Sequence, residues 1–220
     1  MKRKKFNFSI AIDGSSASGK TTGSKFISKI FNFKLLSSGK LYRYLALEII
    51  KNKNNYNRKF VNKISKEITI NKLNKYNLYI PEITKLSSII AKKKYVRNSL
   101  KQFQINFIKK NLKVIIEGRD IASKIMPNAD LKIFFRCSLQ EKAKRRLKEF
   151  RKLNRDISLK EVKKALKQRD FNDRNRKESP LLFTKGTVLV DTTNLNLQEM
   201  RSKLKKLVQG EIKTKKNGSL

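Results

Sequence analysis

Phe8-Ser9-Ile10-Ala11-Ile12-Asp13-Gly14-Ser15-Ser16-Ala17-Ser18-Gly19-Lys20-Thr21-Thr22 is the stretch whose reading decides the fold. Residues 6–12 form a short apolar run rich in β-formers that stops at Asp13-Gly14, the pattern of a buried strand. Gly14 to Thr21 meets the spacing G-x-x-x-x-G-K-[ST] in full. In residues 20–30, Phe26, Ile27 and Ile30 recur at helical spacing. A glycine-rich loop between a strand and a helix is an anion nest. Its glycines permit a tight turn and close backbone approach, and its N–H groups point inward at the positive end of the helix dipole. Gly14, Ser15, Ser16, Ala17, Ser18, Gly19, Lys20, Thr21 and Thr22 are therefore expected to cradle the phosphates of a nucleoside triphosphate. Lys20 supplies a mobile point charge, and Thr21 or Thr22 reaches the magnesium shell.

Working outward, residues 33–36 read as a second short strand and residues 40–50 as a helix. Strand, loop, helix, strand, helix opens an α/β fold with a central parallel sheet flanked by helices. Further strands are expected at 114–116, 131–135 and 188–190. Helices are expected over 83–110, 139–153, 159–168 and 197–208. Residues 52–79 are rich in Asn, Lys and Tyr with weak periodicity, and read as a peripheral, partly mobile insertion. The polar stretch 210–220 reads as a disordered tail.

Composition excludes several chemistries. The chain has 220 residues, 55 Lys+Arg, 17 Asp+Glu, no His and a single Cys137. Without His, Ser-His and Cys-His nucleophilic systems are ruled out, and one Cys makes neither a disulfide framework nor a cysteine zinc cluster. The net charge of +38 is of the kind that draws nucleic acid or other anions. The 41 Lys stand beside 20 Asn and many Ile, residues that AT-rich codons encode, so base composition is a competing source of the charge. No stretch reaches the ~20 apolar residues a membrane span requires. The basic start MKRKK leads only into a short apolar run broken by Asn7 and Ser9, a poor secretory signal, so a cytoplasmic location is expected.

Three polar clusters follow the predicted strands. Ser37-Ser38-Gly39-Lys40-Leu41-Tyr42-Arg43 places hydroxyls, a phenol and a guanidinium at the carboxyl rim of the sheet, where open α/β sheets bind ligands. The same segment also reads as a helix capped by Ser38 with a solvated Arg43. Glu117-Gly118-Arg119-Asp120 ends another strand. Arg119 suits bidentate phosphate binding, and Asp120 suits accepting from an exocyclic amine. On a helix, Arg169, Asp173 and Arg176 lie at i, i+4 and i+7 on one face, as a ligand cluster or a salt-bridged solvent face.

At these residues the chain resembles the bacterial cytidylate kinases, nucleoside monophosphate kinases. The resemblance rests on IAIDGSSASGKTT followed by LLSSGKLYR, on PEITKLSSIIAKKKYVRNSL, on EGRDIASKIMPNADLKIFF and on RDFNDRNRKESPL, from about residue 8 to residue 208. It implies a P-loop kinase fold with a lid (about 145–176, led by Arg145 and Arg146) and a small monophosphate-binding insertion (about 51–82). The core would comprise 6–50 and 83–209, within one kinase domain of residues 1–209. It implies transfer of the γ-phosphoryl of ATP to CMP or dCMP with Mg²⁺ at Thr21, by a monomer that needs no specific nucleic acid. Carried over by position, Ser88, Arg97 and Asp120 read the cytosine, while Arg43, Arg119 and Arg176 hold the acceptor phosphate. Asp173 binds the sugar hydroxyls, Arg169 lies between sugar and phosphates, and Ser38 and Tyr42 line the pocket. Lys20, Arg119 and Arg176 are the expected catalytic residues.

The chain departs from the family at three places. Ser37 stands where the family usually has Asp, Thr21-Thr22 replaces the common Gly-Thr, and the insertion is short and has lost part of its small sheet. Glu117 and Asp13, at strand ends beside the loop, are candidates to orient magnesium-bound water. Two other readings stand beside this one: a different small-molecule P-loop kinase, and a basic RNA- or ribosome-binding protein. Few aromatics interleave the basic runs, and no RNA-binding signature is present.

Overall fold

A computed structural model describes residues 6–152 and 156–218. The basic residues 1–5, the end of the predicted helix at Leu153 and the last two residues of the predicted tail lie outside that range. The chain divides into two compact units, Met1–Leu35 with Leu112–Leu220, and Leu36–Asn111.

The first unit is built on the predicted sheet. Strand β1 (Phe8–Gly14) is flanked in parallel by β3 (Lys113–Gly118) and β4 (Leu131–Arg136), and β4 pairs in parallel with β5 (Thr187–Asp191). With β2 (Lys34–Ser37) the five-stranded order is β2-β3-β1-β4-β5. The central strands are buried on both faces, which is why they read as continuous apolar runs rather than alternating ones. Helices α1 (Lys20–Phe31) and α9 (Leu197–Asn217) pack together, and Ile27, Met200, Leu204 and Val208 meet Ile10, Ile12, Ile133 and Phe135 in one core. Gly23 is required there, because a Cβ would come within 2.7 Å of the Phe135 ring.

Helix α7 (Leu139–Arg151) is capped by Ser138, and α8 (Leu159–Asn175) begins with a capping box between Ser158 and Glu161. They form a hairpin around Ala143, Val162 and Leu166, against which Ala17 of the phosphate loop also packs. The sequence reading ended the second of these helices at residue 168. It continues through Asn175, and Arg176 takes an extended backbone just beyond its end. The predicted tail is likewise corrected: α9 runs through Asn217, held by Lys215 Nζ, which lies 2.6 Å from Asp130 and 3.0 Å from Asn7.

In the second unit, helices α2 (Ser38–Lys51), α3 (Arg58–Lys66), α4 (Ile70–Lys75), α5 (Pro81–Ile90) and α6 (Lys94–Lys109) pack together, α2 on α5 and α3 on α6. Residues 52–79, whose weak periodicity reads as a peripheral, partly mobile insertion, hold α3 and α4. Asn57 and Thr69 cap these helices, and Val61, Ile64, Ile68, Leu73 and Leu78 are buried. The frequent Asn and Lys in this stretch masked a sparse apolar stripe that suffices for short helices. Among its described residues the unit is helical apart from the end of β2.

Candidate active site

The phosphate loop turns where the sequence placed it. Gly14 has φ 155°, and a Cβ there would meet the Phe135 carbonyl oxygen at 2.5 Å, so no other residue fits. Ala17 (φ 57°) and Gly19 (φ 88°) take left-handed conformations that curl the loop onto the start of α1. Ser18 Oγ and Lys20 Nζ each donate to the Ser15 carbonyl at 3.0 Å, closing the loop on itself. Lys20 is buried, and that burial, followed by the charge of Arg119, lowers its pKa to about 7.

Thr21 Oγ1 donates toward both carboxylate oxygens of Glu117, at 3.0 Å each, while Thr22 is exposed. Asp13 serves differently from expectation. Its two oxygens accept from the amides of Ile121 and Ala122 at 2.9 and 2.7 Å, bracing the π-helical turn Ile121–Ile125 that follows Arg119-Asp120. Burial raises its pKa to about 6 even against those two bonds. Asp13 is thus a structural brace rather than a candidate for holding magnesium-bound water.

The arginine cluster assembles on the same unit. Arg119 Nε donates to Asp173 at 2.7 Å. Arg176 Nη1 lies 3.5 Å from Asp173, its Nη2 lies 3.8 Å from Asp120, and its Nε donates to the Ser179 carbonyl at 2.7 Å. Burial pushes the Asp173 carboxyl up, but Arg119, Arg169 and Arg176 outweigh it and hold the group below its ordinary value. Arg169 acts on both Lys20 and Asp173, so the loop and the cluster share one electrostatic neighbourhood. Of the two predicted lid arginines, Arg145 is tied to the loop. It donates to the hydroxyl and carbonyl of Thr192 at 3.0 and 2.7 Å, and Thr192 in turn donates to the Ser18 carbonyl at 3.0 Å. Arg146 stays on its own helix, paired with Glu149 at 2.7 Å.

The remaining predicted residues lie in the second unit. Ser37, not Ser38, occupies the N-cap position of α2, and Ser38 is buried inside the first turn. The Arg43 guanidinium stacks 4.7 Å over the Tyr79 ring. Arg97 donates to the Ala91 carbonyl at 3.1 Å and stacks 5.5 Å over Tyr42. Arg43, Arg97 and Tyr42 are buried, and Ser88 Oγ donates to the Thr84 carbonyl at 3.1 Å. The solvated Arg43 of the alternative reading is therefore excluded.

Sequence reasoning missed Thr192, Lys142 and Asp170, which also touch the loop. Thr192 follows β5 at the carboxyl rim, so the strand-end rule that selected Glu117 applied to it as well. Asp170 lay inside the quoted arginine segment, but its partner Lys142 is 28 residues away, beyond any local spacing rule.

The chain is similar to known proteins over nearly its whole length. A family model described as cytidylate kinase matches residues 10–210. A cytidylate kinase of Fusobacterium nucleatum is 35% identical over 215 residues, covering 92% of this chain and 98% of that protein. One from Mesomycoplasma hyopneumoniae is 36% identical over 221 residues, covering 95% and 96%. Among solved structures, a Thermus thermophilus protein superposes with a TM-score of 0.53 at 18% identity, covering 94% of this chain and 98% of that one. An uncharacterized Eubacterium ventriosum protein gives 0.54 at 13%, covering 92% and 98%. These two support the fold alone. The residues matched by the family model include the phosphate loop, the Arg119 segment and the Arg169–Arg176 segment, and the chain belongs to the cytidylate kinase family of nucleoside monophosphate kinases.

Proposed function

We propose that the chain transfers the γ-phosphoryl group of ATP to CMP and dCMP. The observation that carries this reading is a phosphate loop and an arginine cluster on one unit, the loop bonded to the segments that carry the arginines through Thr21 and Glu117 at 3.0 Å and through the Ser16 amide and Asp170 at 3.1 Å. Such a reaction must bring two polyanions together, and positioned positive charge is what it chiefly requires. The acceptor is already an oxyanion, so no strong general base is needed, which suits a chain without His.

In this reading, residues 14–22 hold the triphosphate, with Lys20 on the moving phosphoryl. Arg43, Arg119 and Arg176 hold the acceptor phosphate, Arg169 spans sugar and phosphates, and Asp173 takes the sugar hydroxyls. Ser38 and Tyr42 line the acceptor pocket, and Ser88, Arg97 and Asp120 read the base. Arg145 anchors the start of a lid whose closure excludes water, which would otherwise accept the phosphoryl. The hydroxyl of Thr21 and the carboxylate of Glu117 are hard oxygen donors that fit Mg²⁺, and they are the residues that would hold it. When bound, the ion neutralises charge on the phosphates.

The test is an acceptor panel in a coupled ADP-release assay with MgATP: CMP, dCMP, UMP, AMP and shikimate. Turnover led by CMP and dCMP is expected. Turnover led by shikimate or AMP would overturn the acceptor assignment. RNA retention without CMP-dependent ATP turnover would replace the kinase reading with a nucleic-acid one.

A further inference from the structure

Asp170 lies in α8, between residues with proposed roles, and its carboxylate does something the reaction as proposed does not use. Oδ1 accepts a hydrogen bond from the Ser16 amide at 3.1 Å, in the middle of the phosphate loop. Oδ2 is ion-paired with Lys142 Nζ, which reaches in from α7. The same Nζ lies 3.4 Å from Ser15 Oγ. Ser15, Ser16 and Lys142 are buried, and the Asp170 side chain is 13% exposed. Two helices thus deliver a carboxylate and an ammonium to one stretch of the loop.

A carboxylate is a costly choice here. The loop's amides and Lys20 are arranged for phosphate, and a resident negative charge competes with it. A buried charge is tolerated only when paired, and removal of one partner leaves the other uncompensated. Lys142 is the counter-charge that removes the conflict. The carboxylate then serves as a rigid acceptor for the Ser16 N–H while presenting no net charge to the nucleotide.

We propose that Asp170 is a positioning residue that fixes the Ser15–Ser16 segment of the phosphate loop, and that Lys142 neutralises it so that a triphosphate can approach. This rests on the reading that the loop takes ATP. The two side chains act through the loop, so their effect falls on ATP and not on the acceptor.

The sign of the charge makes the test. Lys142→Met leaves the carboxylate uncompensated and is expected to raise KM for ATP ~tenfold or more, with KM for CMP and kcat within ~threefold of wild type. Asp170→Asn keeps an acceptor for the Ser16 amide and removes the negative charge, so KM for ATP stays within ~threefold. The double variant Lys142→Met/Asp170→Asn is expected to return KM for ATP to that range. A merely structural pair predicts a different pattern: both single variants impaired alike, in stability, kcat and KM for CMP as well as in KM for ATP, because either charge left alone is destabilising. That result overturns the proposal. If Lys142→Met does not fold, the proposal requires that Asp170→Asn in the same chain restore folding, and failure of the double variant to fold overturns it equally. Direct titration of the wild-type chain with MgATP separates the two levels. No ATP binding defeats the proposed function, whereas ATP binding unaltered by Lys142→Met defeats only this inference.

Discussion

Thr21 Oγ1 and the Glu117 carboxylate face each other at 3.0 Å, joining the first turn of α1 to the carboxyl end of β3. The hydroxyl has one proton and shares it between two oxygens, so its own lone pairs stay directed away from the acid. Glu117 is buried, and Thr21 is its nearest donor among the hydrogen bonds described for it. The exposed Thr22 has no comparable setting, which separates two hydroxyls that sequence spacing left equivalent.

That difference makes a prediction for the proposed magnesium site. Glu117→Gln keeps the shape of the pair and removes its charge, so the Mg²⁺ concentration for half-maximal turnover should rise ~tenfold. Thr21→Val should act in the same direction, and Thr22→Val should change it less than ~twofold. Magnesium titration of turnover in the three variants checks this. A larger effect at Thr22 than at Thr21 would reassign the hydroxyl.

Lys20 predicts a conflict between stability and activity. Its pKa is lowered to about 7 in the folded chain, against an ordinary value of 10.5. Between these values the unfolded chain binds more protons, so the Lys20 contribution makes stability rise as pH increases from 7 to 10.5. Below pH 7, the folded state bears the full cost of burying the ammonium. Lys20→Met removes that cost and should stabilise the fold at pH 6 by on the order of 2 kcal/mol, with the gain shrinking towards pH 10. The same substitution should lower turnover by ~10²-fold or more, because the phosphates of a bound nucleotide favour the protonated Lys20, and that charge, aimed at the moving phosphoryl, is lost. Denaturant melts at pH 6 and pH 9, with turnover at pH 7.5, check both halves. A Lys20→Met chain less stable than wild type at pH 6 would contradict the linkage.

The fold and half of the site were legible because their signals are local. The phosphate loop is a contiguous motif, and β1, β3 and β4 read as apolar runs because a central parallel strand is buried on both faces. What escaped depends on contacts distant in sequence. Asp13 looked like a site acid at a strand end, and only the fold shows its oxygens bound to amides 108 and 109 residues away. The helices of residues 52–79 were hidden by composition: Leu73 is the single buried residue of α4, too few to make a period. The end of α9 was hidden in the same way. Gly210 and the lysines around it look like a tail, but Ile212 joins the core periphery and Lys215 reaches back to Asp130.

The lysines of that last helix test the view that most of the +38 charge is dispensable. Lys215 is not: its ion pair with Asp130 is only 29% and 25% exposed, and Asp130 also accepts from Ser9 N and Oγ. Lys215→Gln should cost about 0.5–1 kcal/mol, whereas Lys213→Gln, on the exposed face, should stay within ~0.5 kcal/mol of wild type. Neither should alter kcat/KM for CMP at physiological salt, where screening extends over ~8 Å. Denaturant midpoints and initial rates check this. A large loss of kcat/KM in either variant would give the charge a role in substrate capture.

Asp120 carries the claim about base choice. Cytosine presents an amine donor at C4 and an acceptor at N3, whereas uracil presents an acceptor and then a donor. A carboxylate only accepts, so Asp120 suits the cytosine amine and is mismatched to the uracil carbonyl. Its neighbour Arg176, at 3.8 Å, supplies the positive field that lets a buried carboxylate stand there. A site built to bond one edge rejects the other strongly, because the wrong base leaves its buried polar groups unpaired. CMP and dCMP should therefore lead UMP in kcat/KM. Asp120→Ala should weaken CMP use by roughly 1.5–3 kcal/mol, the value of a charge-assisted hydrogen bond, which is a loss of about 10- to 150-fold. UMP should lose far less, so the CMP/UMP ratio contracts. Asp120→Asn offers an amide that both donates and accepts, and should raise UMP relative to CMP beyond the alanine variant. Removal of Asp120 also leaves Arg176 with Asp173 as its carboxylate partner, and any resulting change in phosphate binding falls on both substrates and cancels in the ratio. The CMP/UMP ratio of kcat/KM in the three proteins is thus the decisive measurement, and a ratio unchanged by Asp120→Ala would remove Asp120 from base recognition.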